Sequence, residues 1–143
     1  MASAVAPEDA PRRPHGVDDA TVAAHGKLSE ALEYVHRVRG ALYDVHQLIG
    51  RADLLFGEAA DDLAAAGHQE LAAEVRERIV GRDVLAGRWT FQIVEDFDDN
   101  YYAAAVETER RSRDVLLQGR RHVLESELKQ QRRTDAGPRD PRR

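Results

Sequence analysis

Residues 89–102, WTFQIVEDFDDNYY, concentrate the side chains of this sequence that can do chemistry. Five of the eight aromatic residues stand here (Trp89, Phe91, Phe97, Tyr101 and Tyr102), beside four carboxylates, Glu95, Asp96, Asp98 and Asp99. On a helix Glu95 meets Asp98 at i,i+3 and Asp99 at i,i+4, and Tyr102 lies one turn past Asp98. Like charges at those spacings oppose the helix by a few tenths of a kcal/mol per pair, and no basic residue intervenes. The helix dipole favours acids only in its first turn, which Glu95 has passed if the helix begins near Arg88. The cluster therefore asks for a compensating group: a metal ion, an arginine from elsewhere, or a helix N-terminus.

A metal site is one chemistry that fits. Ferritin-like carboxylate bundles combine inward acids with a Glu-x-x-His on each of two helices. This chain has one such tetrapeptide, Glu33-Tyr34-Val35-His36, and its helical pattern turns Glu33 and His36 towards solvent. The better-placed ligands are His46, Asp53 and His122 together with Glu95, Asp98 and Asp99, with iron, manganese or zinc as the ion. His46 and Asp53 are about 10 Å apart along a helix, so an ion shared between them needs donors from another element.

The basic residues offer a second chemistry. Residues 1–109 hold 21 acids against 10 bases, whereas residues 110–143 hold 5 acids against 11 bases, and the formal charge of the whole is −5. Arg110, Arg111, Arg120 and Arg121 head the basic segment. Arginine lines bind phosphate backbones, but this one has no aromatic residue for base stacking and is interleaved with acids. It reads instead as a surface complementary to the acidic cluster, and nucleic-acid binding is the weaker alternative. The chain has no cysteine, which excludes disulfides, thiolate metal sites and a cysteine nucleophile. No phosphate-cradling glycine loop or serine nucleophile elbow occurs either.

The elements that must position these groups are helices. From Leu28 every seventh residue is apolar (Leu28, Val35, Leu42, Ile49, Phe56, Leu63), and so is each residue three places on (Ala31, Val38, Val45, Ala52, Ala59, Ala66). This 3–4 spacing predicts a long helix over 28–66 with both rows in one coiled-coil-like seam. Gly40, Gly50 and Gly57 fall outside the seam, and each costs only about 1 kcal/mol there. A short helix follows Gly67 and stops near Gly81. A second long helix is expected over 88–133, its inward face running through Val94, Phe97, Tyr101, Ser112, Val115 and Val123. Prolines mark 1–17 as a disordered leader and 134–143 as a disordered basic tail, leaving 18–133 as the helical domain. The N-terminus lacks the pattern of a secretory signal, and no apolar run reaches the roughly 18 residues of a membrane span, so a cytoplasmic location is expected.

The stretches YVHRVRGALYDVHQLIGRAD and GRDVLAGRWTFQIVEDFDDNYY resemble small uncharacterised helical proteins of high-GC bacteria, over about residues 25–133. The resemblance implies an intracellular helical protein and carries no site residues. The expectation is an all-α bundle of two long helices and a short one, completed by dimerisation. Its expected role is non-enzymatic assembly, through self-association or a protein partner, with no cofactor. The expected contact residues are Trp89, Phe91, Glu95, Asp98, Asp99 and Tyr102 on one side and Arg110, Arg111, Arg120 and Arg121 on the other.

Overall fold

Asp18 starts the first helix. Its carboxylate accepts the Thr21 backbone N–H at 2.8 Å, satisfying one of the amides that a helix N-terminus leaves open. The computed structural model describes residues 11–136; the expected leader and tail therefore lie outside the described residues at 1–10 and 137–143. Helix α1 spans Asp19–Ala65, starting well before the heptads and passing Gly40, Gly50 and Gly57 without interruption. It ends in a Schellman turn in which Gly67 takes φ +91°. There the His68 N–H donates to the Leu63 carbonyl at 2.8 Å and the Gly67 N–H to Ala64 at 3.1 Å.

Helix α2 follows over Gln69–Arg78. Helix α3 (Thr90–Phe97) runs directly into a π-helical segment, Asp98–Tyr102, and then into α4, Ala103–Leu117. Helix α5 is Val123–Ala136, so helical structure continues past the expected boundary at 133. The described residues hold no strand, only an isolated bridge between Leu85 and Arg88 in the turn before α3. The fold is all-α. Among the described residues no helix is long and apolar enough to cross a membrane.

The second long helix expected over 88–133 is not continuous. It breaks after Leu117, where Gln118, Gly119 and His122 take φ of 53°, 75° and 58°. The left-handed region costs a non-glycine residue about 1–2 kcal/mol, so an opposing gain must hold the break. Leu117 and Val123 supply it: they are 1% and 2% exposed, and both pack against Val22. On a straight helix two residues six apart point about 120° away from each other and could not share that cluster.

The π segment causes a second departure. Its wider turn carries an extra residue and advances the inward face by one position. Tyr102, Glu109 and Leu117 turn inward, whereas Tyr101 and Val115, expected inside, are 64% and 71% exposed.

By packing, the chain forms two units. One contains the described residues up to Tyr34 and from Ala104 on; the other is Val35–Ala103. In the first, Val22, Leu117 and Val123 form the core, with Val17 and Leu124 against it. Arg13, within the expected leader, donates from Nε and Nη2 to both Glu127 carboxylate oxygens at 2.7 and 2.8 Å. Its Nη1 also meets Asp19 at 2.7 Å. The second unit has little interior: its buried apolar side chains are Ala60 and Ala72, at 0% exposure, and Val94, at 6%. It also carries fourteen of the eighteen exposed large apolar side chains among the described residues. Unpartnered apolar surface is thus concentrated in this unit.

Gly26 allows a close approach of α1 to α5, because a Cβ there would fall inside the Leu124 side chain, while a Cβ at Gly40 meets nothing within 4 Å. Gly26→Ala should therefore lower unfolding free energy by about 1–3 kcal/mol through overpacking. Gly40→Ala should raise it by up to about 1 kcal/mol through helix propensity. Urea denaturation of the two variants reads both signs.

Candidate functional site

The α1 register decides which groups meet. Its first apolar row packs inward at Val35, Leu42, Ile49 and Leu63, which are half-buried, but not at Phe56, which is 43% exposed. The second does not. Val38 and Val45 are 49% and 43% exposed, Ala31, Ala59 and Ala66 are also exposed, and only Ala52 is half-buried. The row four places on from the first turns inward instead. It contains Leu32, Arg39, His46, Asp53 and Ala60, with His25 one heptad earlier. Most of that inward row is polar, and each polar member has its own partner.

Arg39 donates from Nε and Nη2 to the two carboxylate oxygens of Asp98 at 2.8 and 3.0 Å. Its guanidinium also lies over the rings of Tyr102 and Tyr43, at 5.0 and 5.3 Å from the centroids. His46 Nδ1 shares a hydrogen bond with Thr90 Oγ1 at 2.7 Å. Asp53 Oδ1 accepts the Gly81 N–H at 2.7 Å, just past α2. One residue per heptad of α1 is thereby tied to a different point of the same unit.

The acidic cluster is answered by arginines outside the basic segment. Arg39 takes Asp98, and Arg88 Nη1 takes Asp96. Asn100 adds an Nδ2 bond to the Asp96 carboxylate at 2.9 Å. The Arg39 hydrogen bonds hold the Asp98 carboxyl below its usual range and raise the guanidinium in return. Tyr102 shares a hydrogen bond with His36 Nδ1 at 2.9 Å. Trp89 packs edge-to-face on Phe91 at 5.3 Å and stays 60% exposed. Glu95 and Asp99 face solvent. A groove of about 530 Å³ beside the cluster is lined by Leu42, Arg88, Ile93, Asp96 and Tyr101, and its charged pair is already matched.

Comparison with protein-family models, curated proteins and solved structures finds no match for this chain.

The arginines expected to complement the cluster are spent differently. Arg110 bridges Glu107 and Asp114 on its own helix, and Arg120 donates to the Arg12 carbonyl at 2.8 Å. Arg111 and Arg121 are exposed. The residues named as metal ligands are not drawn together. His46, Asp53 and Asp98 have the partners given above, and His122 lies 3.9 Å from Glu125. Among the described residues no three of His, Cys, Asp or Glu are placed to hold an ion.

A polar cluster that the sequence did not announce lies in the first unit. His25 is 5% and Glu109 8% exposed. His25 Nδ1 bonds Ser112 Oγ at 2.9 Å, and Nε2 faces Ser29 Oγ at 3.3 Å and Glu109 at 3.5 Å. Ser29 donates to Glu109 at 3.1 Å. Arg113 approaches the same carboxylate at 3.7 Å, its Nε buried without a partner. The order serine–histidine–acid is that of a catalytic relay, but burial leaves a substrate no approach, and the groups fix the register of α1 against α4. The available signal was periodic: His25 stands at the heptad position of Arg39, His46 and Asp53.

Two outcomes follow from these contacts. His25→Ala would remove the partner of the half-buried Ser112 hydroxyl and one neighbour of the buried Glu109, and should cost about 1–3 kcal/mol in a denaturant titration. A carboxylate held below its unfolded value adds stability above that value and loses it as pH falls. Asp98, held down by Arg39, and Glu127, held down by Arg13, should therefore make stability fall below about pH 4. In Asp98→Asn the loss between pH 5 and 3 should be shallower by thermal melts.

Proposed function

We propose that this chain is a non-enzymatic helical assembly protein, acting by self-association or by binding a protein partner through its helical faces. The observation that supports the reading is the apolar surface of the second unit. Along α1 it exposes Val38, Val45, Leu48 and Leu55 at regular spacing, and the unit has little interior of its own. Soluble monomers rarely keep such contiguous apolar patches, which mark interaction surfaces. The exposed Trp89–Phe91 pair, flanked by Glu95 and Asp99, adds an aromatic patch with an acidic rim, the composition that interface centres favour.

Sedimentation velocity on the full chain from about 1 to 100 µM tests this. Self-association predicts a sedimentation coefficient and a melting temperature that both rise with concentration, as linkage requires. A monomer throughout, with a constant melting temperature, would overturn self-association.

A further inference from the structure

We propose that the outward row of α1 pairs with the same row of a second copy, the two helices running antiparallel about a two-fold axis near residues 45–48. The inference rests on the self-association reading and specifies its surface, orientation and register.

Place Val38, Val45, Ala52 and Ala59 at the a positions of a heptad, which puts Ala41, Leu48 and Leu55 at d. Val38, Val45, Leu48 and Leu55 are 49%, 43%, 68% and 45% exposed, so the large side chains of the seam are uncovered within the chain, while Ala52 is half-buried. The positions beside it decide the orientation. At e stand Leu42, Ile49, Phe56 and Leu63, an apolar row of which Leu42, Ile49 and Leu63 are half-buried in the unit and Phe56 is 43% exposed. At g stand Arg37, Asp44, Arg51 and Glu58, alternating in sign. Charges at e and g set partner choice and orientation in paired helices.

A parallel pair sets g of one helix against e of the other, which here puts each charge beside an apolar side chain. An antiparallel pair sets g against g and e against e. With Val45 opposite the partner's Leu48 and Val38 opposite the partner's Leu55, Asp44 lies beside the partner's Arg51 and Arg37 beside the partner's Glu58. The two-fold axis repeats the Asp44–Arg51 pair, so these two exposed charges of each helix find the opposite sign. Asp44, Arg51 and Glu58 are exposed in the single chain. The apolar e positions then border the new seam on its other side, continuous with the interior of each copy.

The absence of cysteine makes orientation directly readable. Under mild oxidation, an equimolar mixture of Val38→Cys and Leu55→Cys proteins should form the mixed disulfide dimer in high yield. Val38→Cys alone should form little, because its copies would lie roughly 25 Å apart along the axis. Charge reversal gives an independent reading by sedimentation: Asp44→Arg and Arg51→Asp should each weaken the dimer about tenfold, and the double variant should restore it. Leu48→Glu, at an exposed position, should abolish the dimer while leaving the helical circular dichroism unchanged. Cross-linking of Val38→Cys with itself would overturn the orientation. Dimerisation that survives Leu48→Glu would overturn this surface and leave the broader reading standing. A wild-type chain monomeric at 100 µM would overturn both.

Discussion

The structure depends on which side of Leu28, Val35, Leu42, Ile49 and Phe56 the α1 helix turns inward. Apolar residues flank this row three places on and mostly polar ones four places on, and the fold buries the second set. Half-burying Arg39 and His46 instead of Val38 and Val45 gives up apolar area worth about 25 cal/mol per Å². What offsets it is specificity of pairing: a bidentate carboxylate for Arg39, a hydroxyl for His46, a backbone amide for Asp53. An apolar row slides by a heptad with little penalty, whereas a polar row has one register in which every group is satisfied. The same choice turns Val38, Val45, Leu48 and Leu55 to the outside.

The acidic–aromatic segment takes its place in this scheme. Asp98 opens the π turn and anchors Arg39, and Tyr102 closes it between that guanidinium and His36. The segment reads as an electrostatic puzzle while it is treated alone. Its answer lies on α1, fifty-nine residues away in the chain for the Arg39–Asp98 pair. Beyond the π turn, the shifted face carries Glu109 to His25 and Leu117 to Val22, and the left-handed turn at Gln118–His122 lets Val123 join them.

Much of the helical organisation was legible in the sequence. Heptad spacing located α1, Gly67 its end, and the lack of alternation the absence of strands among the described residues. The row at Ala31, Val38 and Val45 was assigned inward because apolar residues ordinarily bury. That rule fails here because hydrogen-bond partners, invisible in one dimension, sit opposite the other row. The break after Leu117 escaped notice because a lone glycine such as Gly119 costs only about 1 kcal/mol inside a helix, and Gln118 seldom takes a left-handed backbone. The π turn was hidden too, since a one-residue change of phase looks like ordinary variation in an amphipathic pattern. Of the contact residues named from the sequence, Asp98 and Tyr102 have in-chain partners, and Trp89, Phe91, Glu95 and Asp99 are exposed.

The register of α1 is the central claim, and adjacent alanines near its end discriminate it most directly. Ala60 is 0% exposed and Ala59 is exposed, the reverse of a seam built on the row at Val38, Val45, Ala52 and Ala59. In the otherwise cysteine-free chain, thiol labelling of Ala59→Cys should proceed near the rate of a free thiol. Labelling of Ala60→Cys should be slower by about a hundredfold or more, limited by local opening. A protected Ala59→Cys beside a freely labelled Ala60→Cys would contradict the account.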